Sequence, residues 1–425
     1  MPANRRRAVF TGLGVLSPIG SGAGAFWDAL VAGTPGVRPV RNFDPAGLPS
    51  RIGGEVPDFD AKKVVSKEAR KALRVMSRTV QLGLCAAYQA AADGGPAPGQ
   101  LDPFRVGVEF GCVMIATDLD DMVAAARVST NCAPRSVNLE TWGGKGLEQV
   151  QPLWMLKYLP NMPACHTSIY FDAQGPNNTI TEADAAGILA LGEAYRILAR
   201  DAADYFFVGG CESKLNPLSM TRLNKFSPLT RRNDTPETAV RPFDRDRDGT
   251  ALGEAAAVLG LEELETARRR GVKVYAELVG FASGFDRGRT GSVLARVIRN
   301  ALAEAGIQPA DVDHVNAHAA GVPDLDAFEA RAVREVFGES TPVYALKGQT
   351  GNTGAAAGLV ELAASILALH HGRLPGTVNY QTPDPACPVH VHTGQPKPVT
   401  KPYAVKIGYT DLGQCGVAVI RKWEG

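Results

Sequence analysis

No window of the chain approaches the roughly 18 consecutive apolar residues of a membrane-spanning helix, so no membrane association is expected. The basic run Arg5, Arg6, Arg7 leads at once into the strand-like residues 8–12 (AVFTG). It lacks the apolar segment of a secretory signal, and a cytoplasmic location is expected. Charge of one sign is also lacking: 45 Lys and Arg stand against 44 Asp and Glu, a net charge of +1. That balance offers nothing to nucleic acid or to an anionic surface. The seven cysteines are odd in number and scattered, with no CxxC pair, so neither a zinc cluster nor a disulfide framework is expected. Gly12 and Gly14 follow a strand-like run, but no third glycine stands at the required place and Ser17-Pro18 interrupts the helix start. Dinucleotide binding is therefore not expected, and no bound cofactor is.

What is present is an ordinary globular composition, 45% hydrophobic and 21% charged over 425 residues, long enough for one large α/β unit or two domains. The chain is organised around residues 175–187 (GPNNTITEADAAG). A Gly-Pro turn and a short β-branched run give way to apolar residues at helical spacing from Ala183 to Arg200. Residues 205–210 (YFFVGG) then read as a buried strand. Strand, tight turn, helix, strand is the grammar of a nucleophile elbow, in which a reactive side chain sits at a helix N-terminus. The side chain presented would be Asp184, or Glu182 just before it. The plainer reading makes Thr181 an N-cap, with the acidic residues complementing the helix dipole.

Along the rest of the chain, residues 66–93 read as one long helical segment and 105–112 as a strand. Residues 118–165 are the least regular part, in which residues 142–144 and 159–164 read as loop and turn facing a partner; residues 215–247 show no clear period. The second half repeats the grammar of the first. A helix over 292–305 leads to a strand that delivers His318, and a helix over 325–337 leads to a strand that delivers Lys347. Two such halves predict a layered α/β/α/β/α pseudo-repeat rather than a single doubly wound sheet.

Several stretches together resemble the β-ketoacyl-ACP synthases, which have the thiolase fold. They are residues 9–20 (VFTGLGVLSPIG), 241–254 (RPFDRDRDGTALGE), 274–281 (VYAELVGF) and the ordered series NAH, E, K, TGN, G. The resemblance covers about residues 8–422 and implies an N-terminal half over 8–260 and a C-terminal half over 261–422. In that family an elbow cysteine carries the acyl chain as a thioester, and two histidines assist decarboxylation of the malonyl unit. By motif the cysteine position falls on Asp184. The first histidine is retained as His318, and the second falls on Asn352. The supporting glutamate and lysine fall on Glu329 and Lys347, and these two are expected to pair as ions. The two threonines that touch the phosphopantetheine arm fall on Ala320 and Val322. The loop that gates the site corresponds to residues 409–413, with Tyr409 and Leu412. The resemblance also implies a dimer, with the edge strand at residues 205–210, and substrates delivered on the phosphopantetheine of acyl carrier protein.

The departures fall on the chemistry. A carboxylate could store an acyl group only as a mixed anhydride, far more labile than a thioester. Losing one imidazole removes an acid/base group worth roughly 10²–10³-fold. Asp184 could be a base in repurposed chemistry, a carboxylate blocking an emptied site, or a residue that only complements the helix dipole. The expected function is that of a non-condensing subunit, similar to the chain-length factors that pair with a competent ketosynthase and shape its acyl tunnel. The alternatives are an enzyme that decarboxylates or cyclises an acyl thioester through Asp184 and His318, and a plain homodimer with a ligand cavity. Family members with glutamine at the elbow resemble malonyl decarboxylases, but they keep both histidines.

Overall fold

The computed structural model describes residues 6–132 and 135–425; Arg5 and the Cys132 side chain lie outside the described residues. Ten strands carry the architecture. In the first half they are β1 (Ala8–Ser17), β2 (Val106–Gly111), β3 (Asn177–Ile180), β4 (Tyr205–Glu212) and β5 (Ala255–Glu263). In the second half they are β6 (Ala276–Phe285), β7 (Val312–Asn316), β8 (Pro342–Tyr344), β9 (Tyr403–Tyr409) and β10 (Gln414–Lys422). The first five lie side by side in the order β3-β2-β4-β5-β1, and the second five in the order β8-β7-β9-β10-β6. Each half thus places its own strands as third, second, fourth, fifth and first.

The directions match as well. β2 runs parallel to β3 and β4, as β7 does to β8 and β9. The last two pairings of each half are antiparallel. A short antiparallel contact, Ala8–Phe10 against Ala276–Leu278, joins the halves into one sheet.

Helices complete five layers. α1 (Arg78–Gly94) covers β1, β4 and β5 on the outside. α2 (Ala186–Ala199) and α6 (Ala357–His371) lie between the half-sheets, touching strands of both. On the other outside, α4 (Ser292–Ala305) packs on β6 and β10, and α5 (Pro323–Phe337) packs on α4. α3 (Pro217–Phe226) stands apart from these layers, after β4. Ile188, Leu191, Leu359, Leu362 and Ile366 from the two central helices join Phe10, Leu259 and Leu278 in one fully buried cluster. Residues 354–371 are the one helical stretch among the described residues apolar and long enough to cross a membrane, and this burial accounts for their composition. Gly12 and Gly14 are explained by packing. A Cβ at either would meet the Ala90 or Ala86 carbonyl oxygen, at 2.4 and 1.9 Å, so glycine lets β1 approach α1.

The structure corrects four expectations. Residues 66–93 form three pieces, because Ser66 caps Lys67–Arg70, Met76 is extended and Ser77 caps α1 anew. Residues 118–165 are largely regular, with a helix over Leu119–Ser129, an antiparallel pairing of Thr130–Cys132 with Arg135–Val137 and a helix over Met162–Phe171. α3 falls within the stretch that shows no period; Asn216 caps it and Pro217 starts it. Finally, the strand of residues 205–210 is no edge: β4 is hydrogen-bonded on both sides, and the free edge of this half is β3.

Candidate functional site

β3 ends at Ile180, and a single 3₁₀ turn, Ala183–Ala185, runs into α2. Ala183 adopts φ +41°, a left-handed conformation that costs a non-glycine residue about 1–2 kcal/mol. The strain presents the next side chain, Asp184, in front of the helix. Neither Glu182, which precedes the turn, nor Ala185, which precedes α2, makes a side-chain capping bond. The N-cap expected at Thr181 is therefore absent, and Asp184 is turned to partners from the other half of the chain.

Asn352 donates its Nδ2–H to Asp184 Oδ2 at 2.7 Å, while its Oδ1 accepts the Gly354 N–H at 3.2 Å. The second bond fixes which end of the amide faces the carboxylate. His318 Nε2 lies 3.7 Å from the same oxygen. Lys347 Nζ donates to His318 Nδ1 at 3.1 Å and to the His318 carbonyl at 2.6 Å. With Nδ1 accepting, the ring hydrogen sits on Nε2 and points to Asp184. Burial and then the Lys347 charge bring the His318 imidazole down to about pKa 4, against the pull of Asp184. His318 is thus neutral at neutral pH. Burial pushes the Asp184 carboxyl up. The His318 ring facing it, the Lys214 charge and the Asn352 hydrogen bond outweigh it and hold the group well below the usual carboxylate range. A side chain one-fifth exposed is thereby kept ionised, with the Asn352 amide bonded to one oxygen and the His318 ring N–H facing the same oxygen from 3.7 Å.

The expected ion pair between Lys347 and Glu329 does not form. Lys347 instead pairs with Glu361 at 2.5 Å, and Lys406 meets the other oxygen of Glu361 at 2.5 Å. Glu329 serves the backbone, accepting the His318 and Ala319 N–H groups at 2.7 and 2.8 Å, with burial raising it to about 7. It shapes the turn that carries His318 and leaves the lysine to a closer carboxylate.

Ala320 and Val322 are buried just beyond His318. Tyr409 lies fully inside, its ring centroid 4.4 Å from that of His318 and its hydroxyl donated to the Leu325 carbonyl at 3.0 Å. Leu412, on the turn that follows, is 73% exposed, so the two gate positions face opposite ways. Three charges escaped the sequence reading. Glu361 and Lys406 had a signal, as lone charges inside an apolar helix and an apolar strand. Lys214, 2.8 Å from Glu212 and close enough to bias Asp184, had none.

The doubled strand order around two central helices, with a strained turn presenting one side chain at the first of them, defines the class as a thiolase-type layered fold. The chain belongs to the β-ketoacyl synthase family: residues 5–267 match its N-terminal domain and residues 275–381 its C-terminal domain. It is 34% identical over 392 residues to 3-oxoacyl-[acyl-carrier-protein] synthase 2 of Coxiella burnetii, covering 90% of each chain. It is 36% identical over 391 residues to a putative polyketide β-ketoacyl synthase 1 of Streptomyces halstedii, again over 90% of each. Among solved structures, the ishigamide ketosynthase/chain length factor superposes with a TM-score of 0.86 at 26% identity, over 99% of this chain and 100% of the other. A type II polyketide synthase acyl-carrier protein in complex with its ketosynthase gives 0.83 at 28%, over 99% and 100%.

Proposed function

We propose that the protein is a non-condensing ketosynthase-like subunit that works in the cytoplasm beside a condensing partner and shapes the acyl tunnel, in the manner of a chain-length factor. The observation that carries the reading is the grip on Asp184. Two donors that could hold a developing oxyanion, the Asn352 amide and His318 Nε2–H, converge on a carboxylate belonging to the protein itself. That carboxylate is ionised and could hold an acyl group only as a labile mixed anhydride, and no thiol stands in its place. The electrostatics also favour this reading over decarboxylation or cyclisation at Asp184. With the carboxylate held below its usual range and the imidazole at about 4, neither group exchanges a proton readily near neutral pH.

Pairing is supported by surface chemistry. β3 offers a free edge, a hazard for aggregation unless another chain covers it. Most of the large apolar side chains that face solvent lie between Met114 and Met155, and Ile169 is 68% exposed. A dimer through β3 and this apolar face, with a competent ketosynthase or with a second copy, would cover both. A basic ridge of Lys62, Lys63, Lys67, Arg70, Lys71 and Arg74, all exposed, suits an acidic carrier protein bearing phosphopantetheine.

Co-expression with each neighbouring ketosynthase tests the reading. Native mass spectrometry should find a one-to-one complex, and only that complex should condense malonyl units on acyl carrier protein. Turnover of an acyl thioester by the isolated chain, abolished by Asp184→Asn, would replace this function with the enzymatic one.

A further inference from the structure

Cys112 and Cys211 are free and fully buried. β2 and β4 pair in parallel as far as Gly111 and Gly210, so the two cysteines stand opposite each other one step further on. Cys112 keeps the strand geometry, since its N–H still bonds the Ile180 carbonyl at 3.1 Å. Gly111 and Gly210 face α2 and the closed end of α6, where a Cβ on either would meet Gly187 or Ala355. Side chains alternate along a strand, so both cysteines face the opposite way, towards α1. Both indeed lie in one buried cluster with Phe110, Phe207 and residues of α1. Gly83 of α1 makes the room, for a Cβ there would meet Cys211 Sγ at 2.9 Å.

Neighbouring strands lie about 4.8 Å apart. A disulfide spans roughly 4.4–6.8 Å between Cα atoms, so this pair is within its reach. Burial and the Cys112 thiol push Cys211 well above its ordinary value. Cys211 is thereby held protonated, and the first attack on an oxidant falls to Cys112. Each cysteine is followed by a residue, Val113 or Glu212, that lines a cavity open towards solvent. A small neutral oxidant can reach the pair from there, and a folded redox protein cannot.

We propose that Cys112 and Cys211 are a modification site, joined as a reversible disulfide by hydrogen peroxide. Cys112 sulfur attacks one peroxide oxygen and the O–O bond breaks, leaving a sulfenic acid on Cys112 and one water. Cys211 sulfur then displaces the sulfenic hydroxyl, which leaves as a second water with the Cys211 proton. Two thiols and one peroxide thus become one disulfide and two waters. The bridge fastens the strand that holds Ile180, just before the elbow turn, to the strand that leads to Lys214. It needs no partner chain and no chemistry at Asp184.

Peptide mass spectrometry of the folded full chain tests it, after treatment with hydrogen peroxide at neutral pH, quenching with iodoacetamide and digestion without reductant. The Cys112 and Cys211 peptides should appear joined, lighter by two hydrogens than their sum, and dithiothreitol should separate them. Cys211→Ala, a small apolar replacement, should leave about tenfold more sulfenic acid on Cys112 than wild type, trapped with dimedone. Cys112→Ala should leave Cys211 reduced. The wild-type result stands even if either variant folds poorly. Absence of the joined peptide from the folded wild type, its formation only in urea, or sulfinic acid on Cys112 in its place overturns the proposal.

Discussion

The two halves build the same device twice. In the first, a 3₁₀ turn over Ala183–Ala185 feeds α2; in the second, a 3₁₀ turn over Gly354–Ala356 feeds α6. Each turn begins with a left-handed residue, Ala183 at φ +41° and Gly354 at φ +58°, and the two turns pack against each other. Yet one elbow presents Asp184 to polar partners, while the other presents only Ala355, whose N–H is taken by Glu212. A Cβ on Gly354 would stand 1.8 Å from Glu212 Oε2. The repeat thus carries one open elbow and one closed elbow. The open one tolerates strain to aim a side chain, and the closed one uses glycine because a carboxylate fills the space.

Four substitutions sharpen or break that contrast. The largest effect belongs to the closed elbow. Gly354→Ala adds left-handed strain to a steric clash with a pinned glutamate, and should destabilise by about 3 kcal/mol in urea unfolding. An effect near zero would mean that the second elbow is as open as the first.

Nearly as large is the contribution of buried His318. Its folded-state value of about 4 lies below the ordinary value of about 6.5. As pH falls from 6.5 towards 4, the unfolded chain takes up a proton that the native site refuses. Stability is therefore present above pH 6.5 and is lost through that window, by about 3 kcal/mol. His318→Gln should flatten the dependence between pH 6.5 and 4, measured by unfolding at a series of pH values; an unchanged slope contradicts the neutral assignment.

Asp184→Cys comes next. It places a thiol at a helix N-terminus beside Lys214, where thiolate is favoured. Burial pushes Cys85, Cys387 and Cys415 up to about 12 and Cys211 well above its ordinary value. The variant should therefore gain one site alkylated by iodoacetamide about tenfold faster than any native cysteine, read by peptide mass spectrometry. No new reactive site would show that the elbow is shut. The smallest effect is at Ala183→Gly. Relief of strain is partly offset by the greater chain entropy of glycine, so stability should change by no more than about 1 kcal/mol, in the stabilising direction.

Much was legible in the sequence because much is local. The period of residues 186–199, the glycines and prolines of the turns, and the order of Asp184, His318, Lys347 and Asn352 along the chain implied a doubled fold with an altered elbow. Turn chemistry and hydrophobic spacing act over a few residues, and both halves obey them. The misreadings have separate causes. The helix Leu119–Ser129 is regular, but its many solvent-facing apolar residues blur the two-sided pattern on which a helix is recognised. The edge at β4 came with the resemblance, and local sequence could not correct it because it does not say which strands flank a strand.

The chain on its own therefore determined the layers, the repeat and the identity of the residue at the elbow. Tertiary structure alone decided who meets whom. Asn352 reaches Asp184 across 168 residues, Lys347 takes Glu361 rather than Glu329, and Lys214 lends its charge from beyond β4. Ion pairs and hydrogen bonds depend on distances of a few ångströms, and those distances are set by how the two half-sheets close on α2 and α6.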